Sequence, residues 1–160
     1  MIVPVSDLAD RLPRGARLLG LDPGKKRIGL AVSDPGLTVA SPVGTVKRTK
    51  FAADLEALKE AVAEHGVGGI VIGLPVNMDG SEGPRCQSVR QFAQNLEEAG
   101  LDLPMAFWDE RLSSAAVERF LVEEADMTRQ RRGQVVDKMA AAYILQGALD
   151  AIRAQAGRPA

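Results

Sequence analysis

Four acidic residues occupy positions where the pattern of apolar runs predicts the end of a strand or the start of a helix. They are, in chain order, Asp22 after LLGL, Asp109 and Glu110 after MAFW, and Asp137 before KMAAAYILQ. The single histidine and the single cysteine fall in other segments. Carboxylates without softer ligands suit Mg²⁺ or Mn²⁺, and pairs of such ions held by carboxylates commonly hydrolyse phosphodiester bonds.

The surroundings of Asp137 argue against a simple role at the start of a helix. An acid in the first helical turn commonly complements the helix dipole. However, Ala140, Ala141 and Ile144 follow at helical spacing and share its face, so Asp137 leads an apolar face that should pack on the core. A carboxylate in that position needs a partner or a metal ion, because an unpaired buried charge is costly.

The other three acids also have purely structural interpretations. Asp often initiates a turn, which would account for Asp22. Asp109 or Glu110 would hold the loop after the last strand by pairing with Arg111. Because side chains alternate along a strand, only one of Asp109 and Glu110 should face a metal ion directly, and Glu110 is the favoured residue.

Basic residues adjoin the acids in two clusters. One cluster lies just after Asp22 and the other shortly before Asp137: Lys25, Lys26, Arg27, Arg129, Arg131 and Arg132. Such clusters are most often solvated surface. Their position beside the acids nevertheless favours contact with a phosphate backbone.

The glycine-rich stretch GLPVNMDGSEGPR connects an apolar strand to a helix. It lacks the sequence G-K-[ST] and is therefore not a nucleotide-binding P-loop. Its simplest interpretation is a connection that turns at Asp79-Gly80. Asn77 and Arg85 within it, and Arg111 after the last strand, are further candidates for contact with a nucleic acid.

The composition is that of an ordinary globular protein. The chain has 160 residues, so we expect a single domain over residues 1–160 with its core at about residues 17–153. With 20 Lys and Arg against 21 Asp and Glu, an anionic partner would have to be held by a local patch. One cysteine fits a reducing, cytoplasmic compartment, and no apolar run approaches the roughly 20 residues that span a membrane.

Hydrophobic periodicity predicts the element order β-β-β-α-β-α-β-α-α, after a short helix at residues 5–12. The strands are predicted at residues 18–22, 27–33, 39–48, 69–73 and 105–108, and the helices at 52–64, 84–99, 113–124 and 135–153. Pro23-Gly24 should form the middle of a type II turn. This order predicts a mixed α/β sheet with helices on its faces and a site beyond the carboxyl ends of the strands.

Four sequence blocks resemble the RuvX (YqgF) family of small bacterial proteins. They are GLDPGKKRIGLAVSD, GIVIGLPVNMDGSEGPR, WDERLSS and VDKMAAAYILQ, and with their spacers they span about residues 18–150. The resemblance implies a ribonuclease H-like fold with a five-stranded mixed sheet of order 3-2-1-4-5 flanked by helices. It also implies that the metal-binding acids of the family fall on Asp22, Glu110 and Asp137, with Asp109 in the same motif.

The resemblance implies a nuclease of 5′-end maturation of pre-16S ribosomal RNA, and the carboxylates themselves predict Mg²⁺ or Mn²⁺ as its cofactor. Resolution of Holliday junctions by a homodimer is the alternative within the family. A nucleic-acid-binding factor without catalysis stays open, as does an ATPase of the actin and sugar-kinase kind, although that class resembles two copies of this fold. Ser113 and Ser114 stand where the family often has threonines, and they keep the hydroxyl groups.

Overall fold

The computed structural model describes residues 1–112 and 129–156, and of residues 112 and 129–137 it describes the backbone alone. The strands are β1 Arg17–Pro23, β2 Arg27–Ser33, β3 Ala40–Lys47, β4 Val67–Leu74 and β5 Met105–Asp109. The helices are α1 Val5–Leu8, α2 Phe51–His65, α3 Pro84–Glu98 and α4 Arg129–Ala156, with 3₁₀ turns at Ala9–Arg11 and Glu110–Leu112. Ser113, Ser114 and the helix predicted at 113–124 lie outside the described residues.

The five strands form one mixed sheet in the order β3-β2-β1-β4-β5. β2 runs antiparallel to both β1 and β3, whereas β4 runs parallel to both β1 and β5. This is the strand order that the family resemblance implied, and the prediction of the fold is confirmed. β4 is buried along its whole length, which explains the continuous apolar run GIVIG between two parallel neighbours.

The sheet separates two apolar layers. On one face, Leu21 and its neighbours pack with Leu58 of α2 and Phe92 of α3. On the other face, Leu18 and Val71 pack with α4. Leu8 of α1 belongs to the same apolar layer, next to the C-terminal part of α4. α4 therefore runs along the sheet from the carboxyl end of β1 toward its amino end.

α4 lies directly on the backbone of the central strands. A Cβ built on Gly20 would lie 2.8 Å from Leu145 Cβ and 3.1 Å from the carbonyl oxygen of Ala141. A Cβ built on Gly73 would lie 2.5 Å from Ile144 Cδ1. Glycine at these two positions thus allows a close approach between helix and sheet at the carboxyl half of β1 and β4.

The predicted type II turn at Pro23-Gly24 is wrong. Pro23 still pairs with Ile28, and the N–H of Gly24 donates to the carbonyl of Arg27 at 2.9 Å. The φ angle of Gly24 also lies outside the left-handed region that a type II turn requires there. The antiparallel ladder therefore continues past the proline, and the exposed residues Lys25 and Lys26 form the tip of the hairpin.

The prediction that Asp137 opens the final helix is also wrong. The helix begins at Arg129, because glutamine and arginine favour a helix and Gly133 costs only about 1 kcal/mol. Asp137 consequently lies in the third turn of the helix. It is too far from the helix start to complement the helix dipole, which was the simple structural role considered for this residue. Over the described ranges, no helix combines the length and the apolar composition that a membrane crossing demands.

Candidate functional site

The carboxyl ends of β1, β4 and β5 lie side by side. Leu21 pairs with Ile72, and Gly73 pairs with Trp108, so the next residue of β1, Asp22, falls in the same row as Gly73 and Trp108. Alternation along β1 directs Leu21 toward α2 and α3 and Asp22 toward the face that α4 covers. This row forms the floor of the candidate site.

Asp22 and Glu110 meet above that floor. Their carboxyl groups lie close enough for hydrogen bonding with Asp22 to lower the pKa of Glu110, although the two residues come from the ends of different strands. Glu110 Oε2 lies over β4, 3.1 Å from the position that a Cβ on Gly73 would take. Gly73 therefore provides the space for the Glu110 carboxyl group. Sequence reasoning did not identify Gly73 as part of the site. The signal for it was a glycine near the end of the buried run GIVIG.

The pKa of Glu110 is raised above its usual value. Burial is the main cause, and the hydrogen bond with Asp22 and the positive charge of Arg85 oppose the rise. Two carboxyl groups in contact need a shared proton or a cation between them. Because both groups offer oxygen atoms only, this pair fits a hard divalent cation such as Mg²⁺ or Mn²⁺.

Asp109 has different partners. Its Oδ2 accepts a hydrogen bond from Nε of Arg111 at 2.8 Å and forms an ion pair with Nη2 at 2.6 Å, and its Oδ1 accepts a hydrogen bond from the backbone N–H of Arg111 at 3.0 Å. The side-chain hydrogen bond from Arg111 lowers the pKa of Asp109. Of the two neighbouring acids, the structure thus brings Glu110 to Asp22 and pairs Asp109 with Arg111.

The glycine-rich loop after β4 borders the same site. It is closed by hydrogen bonds between Asn77 and Ser81, and Asp79 Oδ1 accepts both the backbone N–H and the hydroxyl of Ser81. A cavity of about 280 Å³ lies between this loop and Glu110, and its lining includes Asn77 and Arg85. Arg111 lines the cavity as well, so three predicted nucleic-acid contacts share it with Glu110.

The position of Asp137 follows from the helix that carries it. Ala141 and Ile144 contact β1 and β4 at Gly20 and Gly73. Position 137 is one turn before Ala141 on the same face, so the backbone of α4 brings it to the edge where β1 ends. Among side chains that the structure describes, no three His, Cys, Asp or Glu are grouped to hold a metal ion, and Asp137 is outside that set.

The basic residues fall around this edge. Lys25 and Lys26 are exposed at the hairpin tip, Arg27 begins β2, and Arg85 lies in the first turn of α3. The predicted contacts Arg129, Arg131 and Arg132 lie in the first turns of α4, and their side chains are outside the described part. Sequence reasoning missed Arg48, which reaches the hairpin because Lys47 at the end of β3 pairs with Arg27.

Replacing Glu110 with Gln should raise the stability of the metal-free protein at neutral pH. A carboxyl group whose pKa is higher in the folded than in the unfolded protein lowers the free energy of unfolding at pH values above the folded-state pKa. This loss of stability shrinks as the pH falls through the folded-state pKa and is gone below the unfolded-state pKa. Glutamine removes the charge at nearly the same volume. We expect a higher Tm than wild type in EDTA at pH 7.5, and a smaller difference at acidic pH. Glu60→Gln is the control, because Glu60 is an exposed residue of α2. An unchanged or lower Tm for Glu110→Gln would contradict the prediction.

Comparison with known proteins gives concordant matches. The family described as "RuvX: Holliday junction resolvase" matches residues 16–151. A protein of Rhodospirillum centenum named "Putative pre-16S rRNA nuclease" is 61% identical over 151 residues, covering 92% of this chain and 80% of its own length. A protein of the same name from Phenylobacterium zucineum is 59% identical over 152 residues, covering 95% and 97%.

Solved structures show the same fold at low sequence identity. RuvC of T. thermophilus in complex with a Holliday junction substrate has a TM-score of 0.51 and 17% identity, over 89% of this chain and 96% of that one. The yeast mitochondrial Holliday junction resolvase has a TM-score of 0.50 and 11% identity, over 94% and 88%. The ribonuclease H-like architecture expected from the sequence blocks is thus shared with resolvases.

Proposed function

Because the chain belongs to the RuvX family, we propose that it is a metal-dependent nuclease that acts in 5′-end maturation of pre-16S ribosomal RNA. Relatives at 61% and 59% identity carry the pre-16S rRNA nuclease name over more than nine tenths of this chain, which supports that substrate. The same similarity favours phosphodiester hydrolysis over the ATPase alternative.

The observation that carries the proposal is the contact between the Asp22 and Glu110 carboxyl groups over the backbone of Gly73. Two acids that share one small space are typical of a cation site. Asp137 would complete the ligand set from α4.

Each residue has a distinct part in the proposed reaction. Asp22, Glu110 and Asp137 would hold Mg²⁺ or Mn²⁺, which supplies Lewis-acid stabilisation of the phosphoryl oxygens and a water of lowered pKa when bound. Asp109 and Arg111 fix the turn that presents Glu110. The remaining basic residues would position the phosphate backbone around the acids: Lys25, Lys26, Arg27, Arg85, Arg129, Arg131 and Arg132.

The direct test offers the wild-type protein two substrates side by side. One is a 5′-extended pre-16S RNA fragment and the other is a four-way DNA junction, each with Mg²⁺, with Mn²⁺ and with EDTA. Preferred, EDTA-sensitive cleavage of the RNA is expected. Preferred cleavage of the junction would favour the resolvase alternative, which also requires a homodimer because two strands are cut. Binding without cleavage of either substrate would indicate a non-catalytic factor.

A further inference from the structure

Arg85 lines two cavities, and the second is strongly cationic. This second cavity, of about 210 Å³, lies between the β1–β2 hairpin and α3. We call it the cationic cavity, and its polar side chains are those of Lys25, Arg48, Arg85 and Ser88. Its described lining holds three positive charges and no carboxylate. Such a space favours an anion, and it adjoins the cavity that contains Glu110.

The side chain of Arg48 is held in place at this cavity. Its Nη1 donates a hydrogen bond to the carbonyl of Gly24 at 2.7 Å, and its guanidinium carbon lies 5.0 Å from the centre of the Phe92 ring. Neither Arg48 nor Lys25 forms an ion pair with a carboxylate within the described ranges. A guanidinium group has five N–H donors, so several remain for a ligand.

α3 borders both cavities. Its flank lines the cationic cavity, and its first residues, Pro84 and Arg85, line the cavity that contains Glu110. Arg85 is also close enough to Glu110 to affect its pKa. The cationic cavity and the acidic pair are therefore neighbours connected through one side chain.

We propose that the cationic cavity binds a backbone phosphate of single-stranded RNA next to the phosphodiester that is cleaved, and that Arg48 is a substrate-binding residue. This inference rests on the proposed function, because the path that it defines leads to Asp22 and Glu110. A strand that occupies both cavities passes over Arg85. Guanidinium groups match phosphate oxygens in geometry and form short, charge-assisted hydrogen bonds with them.

Binding can be tested apart from cleavage in an Asp22→Asn background. The probe is a fluorescein-labelled single-stranded RNA with the 5′-extension sequence of pre-16S RNA, followed by fluorescence anisotropy. Ser88→Glu places a negative charge in the cavity and removes neither the hydrogen bond of Arg48 to Gly24 nor its contact with Phe92. Gln87→Glu is the matched control, because Gln87 is the preceding residue of α3, is exposed and does not line the cavity. We expect Ser88→Glu to weaken binding roughly tenfold and Gln87→Glu to leave it nearly unchanged.

Arg48 itself is tested by its salt dependence. Arg48→Gln should weaken binding and reduce the slope of log K against log[salt] by about 0.7, the value for one phosphate contact on a single strand. Arg48→Lys should restore part of that slope. A purely structural arginine that fastens the hairpin to Phe92 would lower Tm without changing the slope.

A neutral methylphosphonate, introduced at one linkage of the RNA at a time, identifies the phosphate. At one linkage beside the cleavage position it should weaken binding by the Asp22→Asn protein, and Arg48→Gln should abolish that particular sensitivity. Equal sensitivity with and without Arg48, or Ser88→Glu that binds like Gln87→Glu, would overturn the inference. Normal RNA cleavage by the same cavity variants with Asp22 retained would refute this inference and leave the proposed function standing. A wild-type protein that binds RNA at the cavity but never cleaves it would refute only the proposed function.

Discussion

Asp22→Asn should abolish phosphodiester cleavage while the protein still folds and still binds nucleic acid. Asparagine has nearly the same shape, but it has lost the charge and one of the two oxygen atoms that a divalent cation would use. We expect the cleavage rate to fall by about 10³-fold or more in the presence of Mg²⁺ or Mn²⁺. The measurement is single-turnover cleavage of labelled RNA, with anisotropy to record binding and thermal unfolding to record stability.

Asp102→Asn is the matched control, because Asp102 is exposed just before β5 and lies outside both cavities. Cleavage by Asp102→Asn should equal that of wild type. Substantial cleavage by Asp22→Asn would refute the carboxylate mechanism. Equal function of wild type and Asp22→Asn, combined with loss of function on charge reversal at Arg131 and Arg132, would instead identify a binding factor whose acids are not used.

Gly20→Ala should destabilise the protein by about 2 kcal/mol, in the range measured when extra atoms are forced into a packed interior. The added Cβ would lie 2.8 Å from Leu145 Cβ and 3.1 Å from the backbone oxygen of Ala141. Neither atom belongs to the free end of a side chain, so strand and helix would have to separate. Denaturant unfolding measures this loss, and cleavage should also fall because α4 carries Asp137.

Gly36→Ala gives the comparison for that variant. Gly36 is exposed, and within the described part of the chain its added Cβ would meet only Asp34 Oδ2, at 3.2 Å. An alanine there also restricts the unfolded chain, which favours folding slightly. Equal free energies of unfolding for Gly20→Ala and Gly36→Ala would contradict the prediction, because they would show that α4 and β1 accommodate the added methyl group without loss of stability.

The strand order could be predicted because the hydrophobic pattern and the family sequence blocks both agree with it. The buried run before the glycine-rich loop requires neighbours on both sides, and the sequence blocks imply which neighbours. The turn at Pro23-Gly24 was predicted wrongly because its residue types suit a type II turn, whereas the pairing of Pro23 with Ile28 decides where the chain reverses. Local propensity alone does not contain that pairing.

The site was predictable in its residue types and less so in its contacts. Alternation along β5 indicated that Asp109 and Glu110 differ, but the bonds from Arg111 to Asp109 depend on how the chain turns after the strand. The space above Gly73 and the position of Arg48 beside Phe92 depend on segments distant in the chain. Such features arise from packing and have no local signature.

The close contact of α4 with β1 and β4 also concerns the order in which a ribosome makes the protein. Asp22 emerges early in synthesis, Glu110 only after the last strand, and the turn of α4 that carries Asp137 later still. Because α4 packs directly on Gly20 and Gly73, Asp137, the proposed third ligand, would join Asp22 and Glu110 only when that segment has left the exit tunnel and docked. A nascent chain in which α4 has not docked would therefore lack the complete proposed metal site, and the RNA around it would not yet be exposed to cleavage.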